Sequence, residues 1–514
     1  MKKIFVVASL LFASIGAFSQ DIYQIAELST VDLNGTSRYV GMGGAMGALG
    51  GDISTMSSSP AATGLYRRSD VAVTASLVSQ PGGYKFDGEH SKHMSFDQLG
   101  FVYSFPVGDR SLKFVNFGIN YHKQHDFNQL VASTASNLKA IDYVSQTWQL
   151  SDLCNFWGSS EKATPLASMA YQTYLLGDAE SNYSAYGASA HYYNKARWGS
   201  NQAFDFNISF NVDDQWYFGI TASAYNVVQK SSMAYTEDLF IVKEEKSDGF
   251  YTLTNENSLK GSGYDAKFGV IVRPLRNSNF KVGLTLSTPT FYELTYRNTS
   301  WMSTHDTQWS STDFKGPYID YDYKVRTPWK LNLAVGNTFF NKLAVGAEYE
   351  FADYSSTSVS YGDSFDDWND SKDRALNREA HRYLKGTHTI KVGAELTPIK
   401  NLYVRAGYNF VTSAFDKKAF LNQFINSASV DASTSTDYLN TSSIKRYVAG
   451  VGVKFGSFYA DATWLYQCQN GKLYTFSASK DGTTVPVQSD MNICPPRHVK
   501  LNKSQIALTL GYRF

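Results

Sequence analysis

The sequence predicts an all-β fold, a transmembrane antiparallel β-barrel of about fourteen strands with an N-terminal plug inside the lumen. Three observations predict it. The first is composition: 514 residues carry 35 Tyr, 33 Phe and 38 Gly but only 12 Pro, with 15% aromatic and 18% charged residues. Such usage suits strands and departs from that of soluble domains. The second is a period-two alternation of large apolar with small or polar residues, the signature of strands with two unlike faces. The third is that connections between these stretches alternate between short and long, as the two ends of an outer-membrane barrel do.

Several classes are excluded at once. Mean hydropathy is −0.30, and after the first residues no run approaches eighteen apolar positions, so a helical membrane bundle is ruled out. Only a closed barrel then satisfies every backbone group in lipid. Lys+Arg 47 against Asp+Glu 46 leaves a net charge of +1, which gives no electrostatic case for nucleic acid. Three Cys exclude a disulfide-dense scaffold. No C-x-x-C, H-E-x-x-H or G-x-S-x-G is present, and no ATP-site motif stands out, so no enzyme and no cofactor are expected.

The elements follow in order. Lys2 and Lys3 precede an apolar run over residues 4–18, and Ala17 and Ser19 place small residues before a cleavage site. Residues 1–19 are expected to be an export signal, with the mature chain starting at Gln20. No Cys follows the site, so a lipoprotein is not expected. Residues 20–70 do not alternate and form the plug; residues 71–514 form the barrel.

Alternation begins with Val71, Val73, Ala75 and Leu77, then Leu99 to Phe105, and then a third strand over residues 112–121. It continues at 204–212, 216–224, 264–272, 280–286 and 321–339. Strands at 343–351, 390–396, 402–410, 447–453 and 458–466 come next. The last is the clearest: Ile506, Leu508, Leu510, Tyr512 and Phe514 on one face, Ala507, Thr509, Gly511 and Arg513 on the other. Short turns are expected at 107–111, 213–214, 274–279, 340–342, 398–401 and 455–457. Long loops are expected at 80–94, 124–201, 230–261, 298–317, 359–385, 412–443 and 470–501. An even strand count puts both termini on the periplasmic side.

The plug contains Gly41, Gly43, Gly44, Gly50 and Gly51 in a Gly/Ala/Met run, as a close-packed segment with unusual backbone angles requires. The run is no dinucleotide fingerprint, because Gly47 stands one residue too far from Gly43 and no parallel strand precedes it. Gly261-Ser262-Gly263-Tyr264-Asp265-Ala266 fits such a fingerprint in letters but opens an alternating strand.

Two stretches, Ser37-Arg38-Tyr39-Val40-Gly41-Met42-Gly43-Gly44-Ala45 and residues 51–66, resemble the hatch of the FadL/OmpP1/TodX-type outer-membrane transporters of hydrophobic compounds. That family carries Asn-Pro-Ala where this chain has Ser59-Pro60-Ala61, and Ser makes a similar but weaker local bond. Tyr323-Lys324-Val325-Arg326-Thr327-Pro328-Trp329 resembles the family's mid-chain strand start. Tyr512 and Phe514 at the C-terminus resemble its barrel-insertion signal. The resemblance implies a monomeric barrel in the outer membrane of a Gram-negative cell, exported and inserted by the barrel-assembly machinery among lipid and lipopolysaccharide. It also implies passive uptake of hydrophobic compounds such as long-chain fatty acids, by loop capture, hatch movement and lateral exit through a kinked third strand.

In the third strand the apolar phase shifts from Leu112 and Phe114 to Val115, Phe117, Ile119 and Tyr121. A bulge near Phe114 and Val115 is expected, with Gly118 leaving a hole in one face. The longest loop carries Phe156, Trp157, Tyr171 and Tyr174, an apolar surface suited to ligand capture. The alternative is a receptor for hemin or another small ligand, with His122 and His125 at the mouth and His381 and His388 at another strand start. Asp363, Asp366, Asp367, Asp370 and Asp373 lack the glycine and terminal Glu of an EF-hand loop and read as a solvated loop, so no metal is expected. Cys468 and Cys494 bracket the last long loop and leave Cys154 over; whether they bridge is open.

Overall fold

The computed structural model describes residues 21–81, 91–108, 111–135, 145–157, 164–176, 187–241, 246–306, 311–361, 372–421, 425, 427, 433–476 and 494–514, without the side chains at 148, 152 and 154–157. Residues 1–19, read as an export signal, lie outside this set, as do Asp363, Asp366, Asp367 and Asp370.

Fourteen strands close into one antiparallel barrel. They are β1 Asp70–Ser79, β2 Lys92–Pro106, β3 Leu112–Asp126, β4 Gly187–Val212, β5 Trp216–Ile241 and β6 Lys246–Val272. β7 has two pieces, Lys281–Ser287 and Phe291–Asp306, and β8 likewise, Ile319–Arg326 and Lys330–Phe339. β9 is Leu343–Asp353 with a short continuation Ser358–Ser360; β10 is Gly386–Leu396 and β11 Leu402–Val411. β12 Ile444–Phe455, β13 Phe458–Cys468 and β14 Lys503–Arg513 complete the wall. β14 pairs with β1 from Asp70↔Arg513 to Ser79↔Ser504, so the sheet has no edge.

The two faces sort as the alternation requires. Leu508 and Leu510 are 59% and 63% exposed, whereas Thr509 between them is 1% exposed. The apolar face therefore points out to lipid and the small or polar face into the lumen. The short turns fall where expected. Asp213-Asp214 and Phe340-Asn341 all have positive φ, the two-residue turn whose twist matches a hairpin.

The wall is lopsided. β4, β5 and β6 contain 26, 26 and 27 residues, against 10 in β1 and 11 in β14. The surplus of roughly 15 residues, at ~3.3 Å per residue along strands tilted by about 40°, carries one side about 35–40 Å higher. The outer face changes character on the way up. On β5 it runs from Phe218, Ile220 and Ala222 to Asn226, Lys230, Ser232 and Thr236; on β6 it runs from Phe268 up to Glu256, Thr254 and Thr252. The upper wall thus faces water. Much of the sequence expected as loop at 124–201 and 230–261 is strand, since polar residues outside lowered the contrast that marks a strand.

The inner face of this upper wall supports a cap. Two helices, α3 Gln146–Trp157 and α4 Pro165–Gln172, and a three-stranded sheet (Tyr438–Thr441, Asn470–Tyr474, Arg497–Lys500) close over it. Leu150, Leu153, Leu166 and Met169 pack with Met233, Tyr235, Tyr251 and Met302 of the wall. The buried Glu237 carboxylate accepts from Ser145 Oγ at 2.7 Å and from Gln146 N at 2.6 Å, which satisfies free donors at the start of α3. Cys494 is buried in this cap; it and Cys468 are both free thiols.

The N-terminal segment holds α1 Ile22–Leu28, α2 Ser37–Gly41 and two 3-10 turns, Ile53–Ser57 and Pro60–Leu65. It touches every strand. Ile53 packs on Ala72 of β1, Ser54 Oγ donates to Gln98 of β2, and Asn116 of β3 donates to Thr63 O. Ser57 reaches Asp205 of β4, Thr221 of β5 donates to Met56 O, and Gly269 of β6 abuts Ala61. Ser59 meets Thr285 of β7, Ser29 meets Lys330 of β8, and Gly47 N donates to Glu348 of β9. Arg38 pairs with Glu395 of β10, Gly43 O accepts from Asn409 of β11, and Asp32 pairs with Arg446 of β12. Ser37 closes the circuit on Thr463 of β13 and Thr509 of β14. A segment in contact with all strands of a closed barrel lies in its lumen.

Candidate functional site

Glycine on both partners lets the segment sit this low. Gly43 has φ +64° and Gly44 φ +79°, a conformation that L side chains rarely adopt. Opposite them, Gly393 and Gly407 pair across β10 and β11. A Cβ on Gly393 would stand 2.1 Å from Met42 O, and one on Gly407 2.4 Å from Gly43 N. Gly219 and Gly269 on β5 and β6 make the same room for Pro60 and Ala61. These inward glycines escaped the sequence reading, although their signal was there: Gly at polar-face positions of alternating strands.

Above this packed level lies a cavity of about 370 Å³. Its apolar wall includes Tyr23, Phe127, Leu259, Tyr296, Phe415 and Tyr438. The rings are stacked and tilted against one another: Tyr23–Phe415 at 4.9 Å, Tyr23–Tyr438 at 5.2 Å and Tyr296–Tyr321 at 5.4 Å between centroids. Its polar wall carries paired charges. Lys267 meets Asp265 at 2.9 Å, Lys391 meets Glu348 at 3.2 Å and Glu350 at 3.7 Å, and Lys195 meets Asp437 at 2.7 Å. The lining thus joins an aromatic, apolar side to a polar side that carries paired charges among neutral Ser, Thr, Asn and Gln side chains.

Charge also pins α1 over the cavity. Glu27 pairs with Arg197 of β4, and His125 of β3 stands with Nε2 3.8 Å from Glu27 and Nδ1 3.0 Å from Asp32. Asp32 also faces Arg446 of β12 at 3.5 Å and accepts from Asp126 N at 2.9 Å. Burial works to raise the Glu27 pKa, but Arg197 and His125 outweigh it and hold it at about 2. Burial acts the same way on Asp32, and His125, Lys503 and Arg446 hold it well below the carboxylate range.

Among the other residues singled out by sequence, Ser59 does not cap its turn. Its Oγ donates to Gly47 O at 3.0 Å, while Pro60 and Ala61 start the second 3-10 turn. On β3 the register against β4 shifts between Leu112 and Phe114, so the bulge lies at Lys113, beside the expected Phe114 and Val115. Pairing with β2 runs unbroken from Gln98↔His122 to Pro106↔Phe114. Gly118 faces inward, and a Cβ there would lie 2.6 Å from Met56 Cε, so the side chain of Met56 occupies the hole. Tyr171 and Tyr174, at the end of α4, are 48% and 67% exposed; the side chains of Phe156 and Trp157 lie outside the described residues. Tyr512 stacks with Phe514 at 5.6 Å on the lipid side of the closing seam.

Of the histidines singled out by sequence, His122, His125 and His388 are tied to separate partners, His388 Nδ1 lying 2.7 Å from Tyr349 OH. His122 Nδ1 faces Asp205 at 3.1 Å and Ser57 Oγ at 3.3 Å, and His125 is held between two carboxylates. Ser57, His122 and Asp205 meet, but Ser57 donates to Asp205 and shares Nδ1 with it, so the relay of a nucleophilic serine is not set up. Asp373, the described member of the acidic loop, caps α5 (Arg374–Tyr383). Among the described residues no group of three or more His, Cys, Asp or Glu is placed to hold a metal.

No family model and no curated relative matches the chain. Solved structures are similar in layout. A FadL homologue of Pseudomonas aeruginosa matches with 13% identity and a TM-score of 0.49, covering 94% of this chain and 99% of the other. The CymD monoaromatic hydrocarbon channel matches at 11% and 0.48, covering 94% and 98%. The toluene transporter TodX of Pseudomonas putida matches at 10% and 0.45, covering 97% and 99%. The barrel itself is established by the strand register of this chain.

Proposed function

We propose that this chain is an outer-membrane transporter for passive uptake of hydrophobic compounds, with single-chain amphiphiles such as long-chain fatty acids as the leading class. One observation carries the reading: the lumen is filled by the chain's own N-terminal segment and keeps, above that filling, a half-apolar, half-polar cavity of about 370 Å³ with paired charges in its wall. A barrel built to pass small polar solutes has no use for such a filling, whereas a selective site needs it. Partition of apolar area out of water drives the ligand inward, about 25 cal/mol per Å².

In this account the exposed Tyr171 and Tyr174 help capture the ligand, and the segment around Gly43, Gly44, Gly50 and Gly51 changes backbone when the cavity fills. Withdrawal of Met56 would then reopen the hole at Gly118 for lateral exit beside β3. The test is uptake of labelled long-chain fatty acid, hemin and a small sugar by cells with and without the gene. Loss of fatty-acid uptake alone is expected. Loss of hemin uptake alone would replace this reading with a receptor, and loss of sugar uptake alone with a porin.

A further inference from the structure

Three neighbouring strands are interrupted at one height. β7 breaks at Thr288-Pro289-Thr290, β8 at Thr327-Pro328-Trp329, and β9 at residues 354–357, where the 3-10 turn Tyr354–Ser356 intervenes. Below the break Lys330 pairs with Ser287 and Ala352; above it Arg326 pairs with Phe291 and Ser358. The wall here is two stacked ladders, while β6 beside it runs unbroken.

The β7–β8 junction is still sewn. Thr327 N donates to Thr290 O at 3.0 Å, and Thr290 N donates to Thr327 Oγ1 at 2.8 Å. The β8–β9 junction is not: residues 327–329 face residues 353–357, and among the described residues no backbone hydrogen bond crosses between them. Thr357 N turns back to Tyr354 O, and the buried Thr357 Oγ1 has no hydrogen-bond partner.

The cavity reaches this junction, lined there by Ser287, Thr290, Lys330, Ala352 and Tyr354. Inside, Ser29 O at the C-terminus of α1 accepts from Tyr354 OH at 2.9 Å and from Lys330 Nζ at 3.3 Å. Outside stand Trp329 and Phe351, 54% and 37% exposed, and Tyr264 stacked on Phe291 at 5.7 Å. Polarity thus falls across the wall, from ammonium and carboxylate within to aromatic rings at the lipid boundary.

We propose that the β8–β9 break is a second lateral passage, on a different wall from β3, for the hydrocarbon chain of a single-chain amphiphile. The polar head stays with Lys330, Lys267 and Asp265, and the chain exchanges with the outer leaflet between Thr327 and Thr357. The C-terminus of α1, held by Tyr354 and Lys330, is its inner door. This rests on the uptake reading above.

The test uses the full chain, its native cysteines replaced by serine, in proteoliposomes with labelled long-chain fatty acid. Extending the register of the upper ladder, Arg326↔Ser358, by one residue sets Thr327 opposite Thr357, so Thr327→Cys with Thr357→Cys welds the break. Val451→Cys with Ala462→Cys, a paired position on β12 and β13, is the control weld. Oxidation of the first pair should lower flux on the order of tenfold, reversed by reductant, with the control unaffected. Tyr354→Phe, which keeps the ring and removes one bond from the door, should raise the flux. Unchanged flux in the welded pair with its bridge confirmed by mass, or in Tyr354→Phe should the welded pair not fold, overturns the passage and leaves the uptake reading standing. Absence of flux in the unmodified chain refutes the uptake reading and the passage with it.

Discussion

Gly407 shows how much one hydrogen atom decides. Its missing Cβ admits the Gly43 backbone at a distance no side chain tolerates, and the atoms in the way are backbone and cannot rotate aside. Gly407→Val should lift the N-terminal segment off β11 at a cost of about 1–3 kcal/mol, the usual range for overpacking. The checking measurement is the heat-induced gel shift together with ion conductance in a planar bilayer: a lower transition temperature and new current are expected. Glu27 gives the second residue-scale prediction. Its folded pKa lies below the ordinary 4.5, so its anchoring of α1 is fully present above pH 4.5 and is lost as pH falls through about 2. Glu27→Gln should therefore speed amide exchange over residues 22–29 at neutral pH, and the gap from the unmodified chain should close near pH 2. A gap that persists at pH 2 would show that charge is not what holds α1.

The individual strands show where the membrane ends. On β5 and β6 the outer residues change from apolar to polar above Ala224 and Tyr264, so one strand crosses lipid and then stands in water. Cysteines at Ser232 and Thr252 should react with a membrane-impermeant maleimide on whole cells, whereas cysteines at Ala222 and Phe268 should not; labelling at all four would move the boundary. The same strands mark what sequence could reveal. The lipid-crossing halves were legible because lipid imposes a large contrast between faces, and all fourteen fell where alternation put them. The upper halves were not. There Ser232, Ala234 and Thr236 alternate with Met233, Tyr235 and Glu237, and small polar residues beside large ones weaken the period. The bulge in β3 was legible as a phase shift and was placed within a residue or two. The breaks in β7, β8 and β9 escaped notice, because Pro289, Pro328 and Tyr354 align only after the strands pair.

For the whole molecule, the filled lumen is the organising fact. Close packing of the plug is legible in the glycine run of residues 41–51, but the cavity above it leaves no such local mark in the sequence. Glu27, Asp265, Lys330, Glu350, Lys391 and Arg446 are far apart in sequence and reach one height only through the shear of a closed barrel. Lipid-facing positions make a further prediction. Leu508→Arg should cost about 2–4 kcal/mol near mid-membrane, whereas Thr252→Arg on the watered wall should cost little; denaturant unfolding in lipid checks both.

The most direct measurement is paired flux through the purified chain in proteoliposomes, one arm with a labelled long-chain fatty acid and the other with a small sugar. The account predicts fatty-acid flux that rises with protein content while sugar permeability stays at that of protein-free vesicles. Sugar flux that rises with protein while fatty-acid flux does not would contradict it.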